Sequence, residues 1–164
     1  GTAISPNSAW LLIQGIETLS LRMERHVQNT QDIAEWLENH PDVASVNYSG
    51  LPSSPWYAAA NKYAPRGVGA VISFELKGGV LAGRELVNNL NLFSHLANIG
   101  DVRSLVIHPA STTHSQLSPE AQLAGGVTPG LVRLSVGLEN IDDIKADLEV
   151  GLAAARALSE AARG

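Results

Sequence analysis

Five strand-like runs are spread along this chain, and the third and fourth are separated by too little sequence for a crossover helix. Val43 to Tyr48 alternates apolar and polar residues, Gly69 to Leu76 (GAVISFEL) is the clearest run, and Ser94 to Ala97 and Ser104 to Ile107 are shorter ones. The last, Leu131 to Glu139 (LVRLSVGLE), puts Leu131, Arg133, Ser135 and Gly137 on one face and Val132, Leu134, Val136 and Leu138 on the other. Parallel neighbours need a connection of a dozen or more residues, so spacing this tight argues against a purely parallel sheet. The expected fold is α+β, a small, mainly antiparallel sheet with helices packed on one face.

Helical stretches surround these runs. Ser5-Pro6 reads as an N-cap followed by proline at the first helical position, and no proline interrupts the chain from Trp10 to Leu37. Trp10, Ile13, Ile16 and Glu17 share a face with Leu21 and Glu24. A single helix of about 34 residues would span about 50 Å, more than a small domain needs for itself, which points to a second body. It should stop near His40-Pro41, because the residue before a proline is pushed out of the helical region. Shorter helices are expected around Trp56 to Lys62, over Val80 to Leu92 and over Ile141 to Leu158, with a polar loop from Ala110 to Gly130.

A chain of 164 residues suffices for one domain, and at that size a domain buries roughly 68–70% of its unfolded surface. Charged residues make up only 16% of it, below the roughly 25% of an average soluble domain, so part of the surface should be covered in the working state. The net charge of -5 and the lack of a basic run argue against nucleic acid. Cysteine is absent, which removes disulfides, thiol nucleophiles and thiolate metal ligands. No run reaches the roughly 18 apolar residues of a membrane span, and the start lacks a basic signal-peptide region, so a cytoplasmic protein without membrane contact is expected.

Few residues carry a chemical signal. The five histidines show no zinc-ligand spacing, and no metal site is expected. His108 and His114 flank the polar loop, where a functional pair competes with the commoner reading of two solvated or backbone-bonded side chains. There is no Gly-x-Ser-x-Gly elbow, and the glycines of RGVGAV precede a strand rather than a helix. Arg133 is different: a guanidinium in a strand whose other face is apolar must find an anion or reach solvent. Its fork matches a carboxylate in two parallel hydrogen bonds. An internal Asp or Glu is one partner, with Glu139 nearest in sequence though about 20 Å along an extended strand; a substrate carboxylate is the other. Asn98 and Thr113 are polar groups that could converge on the same place.

Three long strings, SPNSAWLLIQGIETLSLRMERH, LANIGDVRSLVIHPASTTHSQLSPE and GLVRLSVGLENIDDIKADLE, together resemble the C-terminal part of the Cys/Met-metabolism family of pyridoxal-phosphate enzymes. YSGLPSSPWY and GAVISFELKGG look like that family's intervening segments. Within the family, Asn98-Ile99-Gly100-Asp101 with His108-Pro109-Ala110-Ser111-Thr112-Thr113-His114 looks most like the O-acetylhomoserine sulfhydrylase branch, with the cystathionine gamma-synthase and gamma-lyase branches as alternatives.

The resemblance implies the small domain of a fold-type I enzyme. Residues 1–40 would be the helix crossing from a large pyridoxal-phosphate-binding domain, and residues 41–164 the C-terminal domain. It implies an enzyme that replaces the acetate of O-acetyl-L-homoserine with sulfide or a thiol and is tetrameric when intact. Substrate-carboxylate recognition falls on Arg133, with further polar contacts from Asn98, where several relatives have serine, and from Thr113. The family's cofactor lysine lies in a Ser-x-Thr-Lys context in the large domain. Lys62, Lys77 and Lys145, the lysines present, lack that context, so these residues alone are expected neither to hold the cofactor nor to turn over substrate. A free-standing carboxylate-binding module and a purely structural cap, with Arg133 paired internally, are the competing readings.

Overall fold

The computed structural model describes residues 3–98 and 101–161. In chain order the elements are α1 (Pro6–Glu17), α2 (Leu19–Glu38), β1 (Val43–Asn47), α3 (Tyr57–Tyr63), β2 (Val71–Leu76), α4 (Gly79–Asn88), β3 (Ser94–His95), β4 (Leu105–Ile107), α5 (Pro119–Ala124), β5 (Leu131–Ser135) and α6 (Ile141–Ala161). The strands form one sheet in the order β1-β2-β5-β4-β3, antiparallel throughout except for β3 against β4. No helix lies between that parallel pair among the described residues, and β3 is only 2 residues long. Alternation decides which face is buried. Ile72, Phe74 and Leu76 of β2, Val132 and Leu134 of β5 and Val106 of β4 meet Ile33 and Leu37 of α2, Leu86 of α4, and Ile144, Leu148 and Leu152 of α6. The expected α+β fold, a mainly antiparallel sheet with helices on one face, is thus found, although the one connection too short for a crossover helix joins the parallel pair β3 and β4.

The single long helix expected from Ser5 to His40 is divided. The amide of Thr18, at φ -106° and ψ 6°, bonds Ile16 O instead of continuing the ladder, and the Arg22 guanidinium takes up the Gly15 carbonyl. Glycine and threonine are weak helix formers, and once an arginine satisfies the freed carbonyl the break costs little. α2 ends at Glu38 with Asn39 as its cap, where Pro41 requires it to stop. α4 is shorter than its periodicity suggests, because Asp147 of α6 accepts the amides of Asn91, Leu92 and Phe93 and draws the chain away. The polar loop after Ala110 contains a helix, α5, capped by the Ser118 hydroxyl on Ala121 N with Pro119 in its first turn.

α1 buries none of its residues; Trp10 is 57% and Ile16 65% exposed. A cleft of about 1080 Å³ continues this apolar surface between Ile16, Leu19, Met23 and Val27 on one side and Tyr63 and Pro65 on the other. No helix among the described residues is long and apolar enough to cross a membrane.

Candidate functional site

Arg133 sits mid-strand in β5, level with Ser73 of β2 and Ile107 of β4. Its neighbours Val132 and Leu134 face the helices, so the guanidinium lies on the opposite face of the sheet, and it is half-buried. There it borders a recess of about 430 Å³, with Asn47 and Ser73 from β1 and β2 and Tyr48, Ser49 and Trp56 from the following segment. Burial pushes the Tyr48 phenol up to about 12, and the protonated hydroxyl donates to Gly69 O at 3.0 Å. Arg133 alone of these stands out in the sequence by its residue type; strand pairing brings Asn47 and Ser73 beside it, and the segment after β1 brings Tyr48, Ser49 and Trp56.

The internal partner suggested for Arg133 is engaged elsewhere. Glu139 accepts the Ser104 amide at 2.7 Å and the Ser104 hydroxyl at 2.9 Å. Arg133 takes part in no ion pair or hydrogen bond among the described residues, where the ion pairs are His40 with Asp42 and Glu149, and Arg156 with Asp42. The exit of β5 is tied down instead by polar groups of α2: Asn29 donates to Gly137 O and Glu139 O, and His26 Nδ1 to Val136 O at 2.6 Å. Glu139→Ala strands the Ser104 amide, and equilibrium urea unfolding should register a loss of about 1–3 kcal/mol.

Asn98 and Thr113 are exposed and do not line the Arg133 recess. Both nevertheless follow the C-terminal ends of β3 and β4, the end at which Arg133 is level with Ile107. Thr113 Oγ1 lies 2.8 Å from His114 Nδ1, while Ile99 and Gly100 of the Asn98 segment fall outside the described residues. His108 is not a partner of His114. It is 1% exposed, with Nε2 2.8 Å from Pro129 O and Nδ1 2.8 Å from Ser111 Oγ. A carbonyl only accepts, so the proton is on Nε2 and Ser111 donates to Nδ1.

Burial holds His108 below its ordinary value of 6.5, although its bond to Pro129 opposes the shift. The unfolded chain therefore takes up this proton first as pH falls, and the stability present above pH 6.5 is lost below it. The urea midpoint should drop between about pH 7.5 and about pH 5.5, with part of that slope removed in His108→Gln; an equal slope in the variant would refute the assignment.

None of the three lysines lines the Arg133 recess. Lys77 Nζ donates to Pro41 O at 2.5 Å, Lys62 lies 5.0 Å from the Tyr63 ring centroid, and Lys145 borders a shallow surface recess with Asp32 and Glu35.

Comparison with known proteins identifies the family. The family described as Cys/Met metabolism PLP-dependent enzyme matches residues 1–153. The chain is 58% identical over 153 residues to an O-acetyl-L-homoserine sulfhydrylase of Leptospira meyeri, covering 93% of this chain and 35% of that protein. To O-acetyl-L-homoserine sulfhydrylase 1 of Thermus thermophilus it is 56% identical, over 93% of this chain and 36% of the relative. Among solved structures, cystathionine gamma synthase of Xanthomonas oryzae pv. oryzae in complex with cystathionine aligns with a TM-score of 0.83 at 42% identity, over 93% of this chain and 39% of that one. The chain spans about a third of the length of the curated relatives it matches. Matched over nearly all of its residues in sequence and in fold, this chain belongs to the Cys/Met metabolism family of PLP-dependent enzymes.

Proposed function

We propose that these residues are the substrate-facing small domain of a longer enzyme that exchanges the acetate of O-acetyl-L-homoserine for sulfide or a thiol. The observation that carries this reading is Arg133: a half-buried guanidinium without a partner among the described residues, at the rim of a recess, on a chain of this family. It receives the substrate's α-carboxylate in a bidentate pair. Asn98 and Thr113, beyond the ends of the neighbouring strands, supply further polar contacts. The identities of 58% and 56% to O-acetyl-L-homoserine sulfhydrylases favour the sulfhydrylase reaction.

The lysines present do not fit pyridoxal phosphate, so no chemical step is assigned to them; the cofactor is held by the remainder of the longer protein. That remainder also covers the apolar face of α1 and the adjoining cleft, which accounts for exposed tryptophan, leucine and isoleucine in a helix with no buried residue. The assembled enzyme is a cytoplasmic tetramer.

The test is an assay of the longer enzyme with O-acetyl-L-homoserine and sulfide, beside O-succinyl-L-homoserine and L-cysteine. Homocysteine and acetate from the first pair are expected. Turnover confined to the second pair would move the protein to the cystathionine synthase branch.

A further inference from the structure

β5 begins directly after Thr128-Pro129-Gly130, and the strands on either side of it hold these three residues through side chains. From β2, the Glu75 carboxylate accepts the Gly130 amide at 2.9 Å on Oε1 and the Thr128 hydroxyl on Oε2. The Leu76 amide donates to Gly130 O at 3.0 Å. From the end of β4, His108 Nε2–H donates to Pro129 O at 2.8 Å.

Both side chains are closely packed against glycines. A Cβ on Gly83 of α4 would lie 2.3 Å from His108 Cδ2, so the helix is seated against the imidazole. A Cβ on Gly130 would lie 2.5 Å from Leu76 O and 2.8 Å from Glu75 Oε1, so the turn is pressed onto β2. Arg133 follows Gly130 by three residues, about 10 Å along the strand. Over so short an extended segment, a shift of the turn passes to the guanidinium, and a misplacement of about 1 Å is enough to matter at a reacting centre.

We propose that Glu75 and His108 are positioning residues that set the height of Arg133 along the sheet and so tune capture of the substrate carboxylate. The inference rests on the reading of Arg133 as the carboxylate clamp. Neither residue needs to touch the substrate: they act on the turn that starts the strand, one from each side.

The experiment uses the full-length holoenzyme and compares Arg133→Ala, His108→Leu, His108→Gln and Thr128→Val by steady-state kinetics. Thermal midpoint and the cofactor's visible absorbance are recorded for each. His108→Leu and Thr128→Val should raise KM for O-acetyl-L-homoserine roughly three- to tenfold, the scale of one neutral hydrogen bond, leaving KM for sulfide and the cofactor spectrum unchanged. Glutamine, whose amide can donate to Pro129 O, should restore most of the loss at position 108. If His108→Leu fails to fold, Thr128→Val and His108→Gln carry the same comparison. An unchanged KM in Thr128→Val and in whichever position-108 variants fold, beside a raised KM in Arg133→Ala, overturns the positioning role and leaves the clamp standing. An unchanged kcat/KM in Arg133→Ala overturns the clamp and this inference with it. A fall in kcat with cofactor loss and unaltered KM marks a purely structural role and overturns the inference alone.

Discussion

Arg133→Ala in the intact enzyme should lower kcat/KM for O-acetyl-L-homoserine by roughly ten- to a hundredfold, the 1.5–3 kcal/mol of a hydrogen bond to a charged group. The guanidinium is half-buried on the open face of the sheet, and Glu139, the nearest carboxylate along the chain, is bound to Ser104. Removing it leaves no internal carboxylate stranded, so the loss should fall on substrate handling and not on folding. Arg133→Lys should recover little, since a single ammonium cannot reproduce two parallel hydrogen bonds in one plane. A kcat/KM within twofold of the parent enzyme would remove Arg133 from the site.

One residue further along β5 the expectation reverses. Leu134 is 0% exposed, level with Ile72 and Val106, and part of the core shared with α4 and α6. Leu134→Ala removes three buried carbons and leaves a cavity that close-packed neighbours refill only partly, which costs about 2–5 kcal/mol. Urea or thermal unfolding of the chain measures this. A loss below about 1 kcal/mol would mean that the helices do not seat on β5 as described. The two substitutions form a pair: one should change kinetics at nearly constant stability, the other stability first.

Alternation along a strand is a local property with a period of two, which is why the two faces of β5 and the isolation of Arg133 could be read from LVRLSVGLE. Long-range geometry was out of reach. Asn47, Tyr48, Ser49 and Trp56 reach the Arg133 recess only because β1 pairs with β2 and β2 with β5, a strand order that adjacent residues do not encode. The same holds for Glu139, which lies on the arginine face by alternation but is drawn to Ser104 at the start of a different strand. Local signals were also missed. Ser118-Pro119 carries the helix start seen at Ser5-Pro6, but the helix it opens is only 6 residues long and shows no periodicity. At Thr18 an apolar pattern that continues through the break hid the division of the first helix. Asn98 and Thr113 follow the ends of β3 and β4 in the chain but do not line the Arg133 recess.

The back-to-back arrangement of β5 also bears on how such enzymes diversify. Because successive residues of the strand look in opposite directions, mutations on the Arg133 face and mutations that test the core fall on different, interleaved positions. Substitutions on the open face can therefore accumulate without disturbing the packing of the other. That separation fits a single scaffold shared by a sulfhydrylase and a cystathionine synthase.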